Sequence, residues 1–189
     1  EINYNVHYIK TIVRNTKTEQ GGVWVKPISI GLLGLGTVGT GVVKIISNHQ
    51  DKLMHQVGCP VEIKKILVKD LEKERNVSIP TERLTTSSDE IILDPEIDVI
   101  IEVIGGVEET RELILQALEN QKHVVTANKD LMAVYGSELL NVALNNGCDL
   151  FYEASVAGGI PILRGLTDGL ASDRITKIMG IVNGTTNYI

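Results

Sequence analysis

Residues Ile28–Leu33 (ISIGLL) run without a break into Gly34-Leu35-Gly36-Thr37-Val38-Gly39. A short apolar strand that turns through G-x-G-x-x-G into a helix-competent stretch restricts the fold more than any other segment. Each glycine answers a separate steric demand. Gly34 allows a tight turn out of the strand, Gly36 lets the backbone approach a pyrophosphate, and Gly39 lets the helix pack close to the sheet. The helix N-terminus adds unpaired N–H groups and the positive end of a dipole. The plainer explanation is a glycine-rich turn in an ordinary α/β domain. The strand before the motif and the helix after it favour a dinucleotide site.

The rest of the chain repeats the strand-helix alternation. Thr37–Asn48 reads as a helix with Val38, Val42, Ile45 and Ile46 on its apolar face. A polar stretch from Asp51 to Gly58 leads to a second strand at Val61–Val68, and Asp70–Thr81 is charged and loop-like. Ser87 or Ser88 caps a short helix that ends near Asp94-Pro95. Asp98–Ile104 (DVIIEVI) is apolar enough for a buried parallel strand. Glu108–Asn120 is a helix, Lys122–Thr126 a strand that His123 enters as a structural residue, Ser137–Asn146 a helix and Asp149–Tyr152 a strand. This order predicts a Rossmann-type doubly wound parallel sheet covered on both faces.

After Tyr152 the character changes. EASVAGGIPI (Glu153–Ile162) is a small-residue loop leading to a helix that has Pro161 near its start and continues over Arg164–Ala171. Ile175–Val182 suits a strand. The reading divides the chain into a leader of unassigned role (1–26), a dinucleotide-binding domain (27–152) and the opening of an α+β substrate domain (153–189), incomplete at Ile189.

Bulk properties exclude several classes. The 189 residues carry 18 basic and 24 acidic side chains, a net charge of −6. No basic tract marks a nucleic-acid surface. No apolar run approaches the roughly 18 residues of a membrane helix, and no secretory signal is evident. Cys59 and Cys148 lie far apart and suit reduced thiols in a cytoplasmic protein. Without a CxxC or clustered histidines, a zinc site is not expected.

Ligands in such sheets bind beyond the carboxyl ends of the strands. Five polar segments fall there: Gly34–Gly39, Lys69-Asp70, Gly105-Gly106, Ala127-Asn128-Lys129 and Glu153. Lys69, with Lys73 and Arg75 behind it, favours the 2′-phosphate of NADP over the 2′-hydroxyl of NAD. Asp70 next to it leaves dual use open. Lys129, at a strand-to-helix junction, suits polarising a carbonyl or holding a carboxylate. A surface lysine is the bland alternative.

LLGLGTVGTGVV, TANKDLMA, EASVAGGIPI and GIVNGTTNYI, in this order, resemble homoserine dehydrogenase from about Ile28 to the last residue. The resemblance implies NAD(P)-dependent interconversion of L-homoserine and L-aspartate 4-semialdehyde, in the biosynthesis of threonine, isoleucine and methionine. It puts Gly34, Gly36, Thr37, Val38, Gly39 and Lys129 at the cofactor, and their places after the strands add Lys69 and Gly105. Lys129 then also has a supporting catalytic role, and Gly184 and Thr185 touch substrate. Main-chain carbonyls around Glu153, Val156, Gly158 and Ile160 match the family's sodium loop, a structural cation. The family's catalytic lysine, its acidic substrate ligands and its dimer-forming sheet lie downstream of NGTTN. The resemblance therefore implies a homodimer for the complete protein and an inactive, cofactor-binding fragment for these residues alone. A non-enzymatic dinucleotide sensor and another semialdehyde oxidoreductase of the same fold are the alternatives.

Overall fold

The computed structural model describes residues 26–180. Six strands form one wholly parallel sheet: β1 (Ile28–Leu33), β2 (Val61–Leu67), β3 (Leu84–Thr85), β4 (Val99–Glu102), β5 (His123–Thr126) and β6 (Leu150–Phe151). Their spatial order is β3-β2-β1-β4-β5-β6. The order reverses at β1, where the next strand crosses to the other side, and this leaves a crevice above the β1–β4 boundary. The helices are α1 (Thr37–Asn48), α2 (Gln50–Val57), α3 (Asp89–Ile92), α4 (Glu108–Glu119), α5 (Lys129–Asn145) and the single turn α6 (Ile162–Arg164).

Period-two alternation in β1 sorts its side chains between two cores. Ile28, Ile30 and Leu32 pack with Val43, Ile46, Leu53 and Val57 of α1 and α2. Leu33 joins Ile91, Ile100, Ile114, Leu118, Leu131 and Leu139 on the opposite face. Gly31 points to that second face, where a Cβ would meet the Ile100 Cδ1 at 3.0 Å and crowd Ile91. In β2 the alternation breaks at Lys64-Lys65 because the register against β1 slips between Ile30 and Gly31. The extra residue is a bulge. It returns Ile66 to the core while Lys64 reaches Asp94 at 2.7 Å and Lys65 pairs with Glu90.

Several sequence expectations are corrected here. The polar stretch before Gly58 is largely the helix α2. Leu53 and Val57, one turn apart, are buried, and Gly58 ends the helix at φ +90° with its N–H on the Met54 carbonyl. Helix α5 begins at Lys129, eight residues before Ser137, because the Asn128 side chain caps it by accepting from Leu131 N and Leu131 is buried. The apolar face of α1 is rotated. Gly39, Val43 and Ile46 are buried, while Val38 is 56% exposed. Ser88 precedes α3 without a capping side-chain bond. The helix over Arg164–Ala171 is only the turn α6 followed by a wider π-type turn at Gly165–Gly169. Ile175–Gly180 forms no strand, and Ile178 and Met179 are exposed. A strand needs a neighbour to satisfy its backbone, and none pairs with these residues among the described ones; the last two positions of the expected strand, 181 and 182, lie outside the described residues. The two-residue edge strand β3 is too short to show a period.

His123 has the structural role expected of it. Its Nδ1 accepts from Asp149 N at 3.0 Å, tying β5 to the start of β6. Burial pushes the imidazole below its ordinary value, against weaker upward pulls from Asp149 and Asp98. The unfolded chain therefore takes up this proton first as pH falls. The stability that neutral His123 contributes is complete above about pH 6.5 and is lost on acidification toward the lower folded value. His123→Asn keeps an acceptor for Asp149 N and removes the titration. Urea midpoints compared at about pH 7.5 and about pH 5.5 are expected to fall less in the variant than in wild type.

Candidate functional site

Because every strand runs the same way, the segments after β1, β2, β4, β5 and β6 emerge on one edge. The structure thereby brings together Gly34–Gly39, Lys69, Gly105, Lys129 and Glu153. Gly184 and Thr185 lie outside the described residues.

The glycine turn shows three different surroundings. Gly34 has φ +103°, and a Cβ on it would sit 3.0 Å from the Val103 carbonyl oxygen. At Gly39 a Cβ would press on the Gly34 carbonyl, whose carbon is 3.0 Å away, so only glycine lets α1 approach this closely. At Gly36 a Cβ would meet nothing within 4 Å. Gly36 is the N-cap of α1, extended at φ −83°, ψ −155°. It has no side chain to occupy the first-turn amides, and Gly36, Thr37 and Val38 are exposed. An anion can therefore come directly onto the N–H groups at the positive end of the helix. Crowding at two glycines and open space at the third fit a diphosphate group.

Beyond β2, Lys69 is exposed and makes no hydrogen bond or ion pair among the described residues. Asp70 is turned into its own loop, its Oδ1 accepting from Glu72 N at 2.9 Å. Arg75 donates to the carbonyls of Asp70, Leu71 and Lys73. Asp70, itself exposed, thus braces the loop through one carboxylate oxygen, and the exposed group beside it is the cation Lys69.

Beyond β4, Gly105 and Gly106 both have left-handed φ, +80° and +78°. Beyond β5, Asn128 caps α5 and its Nδ2 donates to the Gly106 carbonyl at 2.6 Å, so the two loops are joined. Lys129 is the first residue of α5, exposed and without a partner among the described residues. Sequence reasoning passed over three buried groups in this region: Glu102, Thr126 and Thr110. A carboxylate closing the apolar run VIIE was the available signal, since such a charge is buried only when fully hydrogen-bonded.

Beyond β6, Glu153 accepts through its two carboxylate oxygens from Leu163 N (2.9 Å) and Arg164 N (3.0 Å). The loop between them carries left-handed residues at Ala157 and Gly159, φ +51° and +83°. No group of three or more His, Cys, Asp or Glu side chains is placed to hold a metal ion among the described residues. A cavity of about 320 Å³ lies elsewhere, among Val43, Ile46, Gln50, Val61, Ile63 and Arg83, and none of the sequence-derived site residues lines it.

The same edge can be compared with known proteins. Residues 34–153 match the model of the homoserine dehydrogenase NAD-binding domain, and residues 161–189 match that of homoserine dehydrogenase. The chain belongs to the homoserine dehydrogenase family. Over 165 residues it is 72% identical to homoserine dehydrogenase of Bacillus subtilis, covering 87% of this chain and 38% of that protein. Over 162 residues it is 46% identical to homoserine dehydrogenase of Synechocystis sp., covering 86% and 37%. The crystal structure of a homoserine dehydrogenase from Thiobacillus denitrificans superposes with a TM-score of 0.78 at 43% identity, covering 86% of this chain and 38% of that one. The chain thus spans less than two fifths of the length of these homoserine dehydrogenases. Its described part carries the family's NAD-binding sheet, and no described helix is long and apolar enough to cross a membrane.

Proposed function

We propose that this chain is the cofactor-binding part of a homoserine dehydrogenase that interconverts L-homoserine and L-aspartate 4-semialdehyde. The pathway served is the cytoplasmic synthesis of threonine, isoleucine and methionine, and the complete protein acts as a homodimer. One observation carries the reading. Lys129, exposed and without a partner among the described residues, stands on the same sheet edge as a glycine turn left open at Gly36.

In this reading residues 27–152 hold the dinucleotide and residues 153–189 begin the substrate domain, preceded by a leader at 1–26. The first-turn amides from Gly36 to Gly39 hold the diphosphate, with Thr37 and Val38 beside it. Gly105 lets the chain pass close to the nicotinamide half. Lys129 presents its ammonium to the substrate oxygen or carboxylate, and in that position it stabilises negative charge as it develops. Gly184 and Thr185 contact homoserine. The bound dinucleotide supplies hydride transfer. Carbonyls of Glu153, Val156, Gly158 and Ile160 would hold a sodium ion; those of Glu153 and Ile160 already accept from Val156 N at 3.1 Å and Ile162 N at 2.8 Å and would offer it their second lone pairs.

NADP is the preferred cofactor, because Lys69 is exposed, has no partner among the described residues and can meet a 2′-phosphate, while Asp70 braces its own turn. Lys69→Glu is expected to weaken NADPH binding by about tenfold and leave NADH binding within about twofold, as the charge is exposed and screened. Fluorescence titration with both cofactors tests this. The same titration on the wild-type chain tests the function. Saturable binding together with negligible homoserine oxidation is expected, since the proton-handling lysine of the family is placed downstream. A folded chain that binds neither cofactor contradicts the reading.

A further inference from the structure

Glu102, the last residue of β4, is fully buried. Its Oε1 accepts from Ile104 N at 2.8 Å and Gly105 N at 3.2 Å. Its Oε2 accepts from the Thr126 hydroxyl at 2.5 Å, across the β4–β5 boundary. Thr126 Oγ1 in turn accepts from Asn128 N at 3.0 Å. Asn128 donates through Nδ2 to the Gly106 carbonyl, and Thr110 Oγ1 donates to the Gly105 carbonyl at 2.7 Å. The bonds close a circuit: Glu102 to Thr126, to Asn128, to Gly106, and back through Gly105.

Backbone amides can only donate, so the Thr126 oxygen accepts from Asn128 N, and its hydroxyl is directed at Glu102 Oε2. All three contacts of the carboxylate are then acceptor contacts. A group that accepts everywhere and donates nowhere is a carboxylate's role and not a neutral amide's. Buried hydrogen bonds linked in this way hold geometry tightly.

The circuit fixes two loops and no others: Ile104–Gly106, with its two left-handed glycines, and Ala127–Lys129. In a sheet of this order each half serves one mononucleotide, so the loops after β4 and β5 face the nicotinamide half. The adenosine half belongs to β1 and β2. We infer that Glu102 and Thr126 are positioning residues, which set the Gly105-Gly106 backbone and Lys129 against the nicotinamide end of the cofactor without touching it. The inference rests on the dinucleotide reading given above.

The test compares two ligands by calorimetric titration of the 189-residue chain: NADPH, which spans both halves, and 2′-phospho-ADP, which fills only the adenosine and diphosphate half. Thr126→Val keeps the shape and removes the hydroxyl. It is expected to weaken NADPH binding by roughly tenfold and leave 2′-phospho-ADP within about twofold, while Thr126→Ser recovers most of the loss. If Thr126→Val does not fold, Glu102→Gln makes the same comparison, because its amide NH₂ faces the Thr126 oxygen and leaves the hydroxyl proton without an acceptor. Unchanged NADPH affinity overturns the inference and leaves the dinucleotide reading standing. Equal weakening of both ligands also overturns it, showing that the circuit merely supports the fold. A wild-type chain that binds neither ligand overturns the dinucleotide reading and this inference together.

Discussion

Gly36→Asp is expected to leave the chain as stable as wild type, or slightly more so, and to lower dinucleotide affinity at least about a hundredfold. The two halves of this result come from one geometry. A Cβ at Gly36 meets nothing within 4 Å, and the residue already has the extended N-cap conformation that aspartate favours. The new carboxylate caps the first-turn amides of α1, which is worth a few tenths of a kcal/mol over glycine. Those amides are the ones a diphosphate needs. The substitution therefore satisfies them internally and places a negative charge where two more must come, and like charges so close cost on the order of several kcal/mol. Thermal denaturation and NADPH fluorescence titration of the same preparation check both parts. Unchanged affinity would show that the diphosphate does not sit on this turn.

Gly39→Ala is expected to do the opposite, lowering stability by about 2 kcal/mol. Helix propensity alone predicts a gain of about 1 kcal/mol, because alanine outranks glycine inside a helix. The added Cβ, however, presses on the Gly34 carbonyl and lies 3.4 Å from the Val103 Cγ2. The obstacle is backbone, held by the bonds of Gly34 N to the Leu67 carbonyl and Val103 N to the Leu33 carbonyl. Overpacking against atoms that cannot swing away costs about 3 kcal/mol, so sterics outweigh propensity. Gly41→Ala in the same helix is the control. Nothing lies within 4 Å of its Cβ, and it is expected to gain up to about 1 kcal/mol. Urea unfolding of the three chains decides the matter, and equal midpoints for Gly39→Ala and Gly41→Ala would show that α1 does not pack as described.

The parts of the site legible in the sequence are those imposed by the local backbone. The glycine spacing is legible because each position has a steric requirement that acts within a few residues. Lys129 is legible by its place after a strand, although the sequence pattern predicts the helix it begins only from Ser137. TANKDLMAVYG mixes polar residues with Gly136, and only the buried Leu131 and the Asn128 cap show that the helix is already under way. Glu102 was not legible as part of the site. It appears in the sequence as an acidic interruption of a strand, and the partner that ties it to the neighbouring loop, Thr126, is more than 20 residues away.

The chain's own order of residues determined the alternation of strands and helices, the turn at Gly34–Gly39 and the family. These are short-range properties, governed by side-chain period and by which residues tolerate a given φ and ψ. Tertiary structure alone decided the register slip between β1 and β2, the rotation of α1 onto Gly39, and the circuit that joins the β4 and β5 loops. Each of these depends on which strands lie side by side. That choice is made by burying two separate apolar clusters on the two faces of one sheet, a long-range outcome that no local pattern encodes.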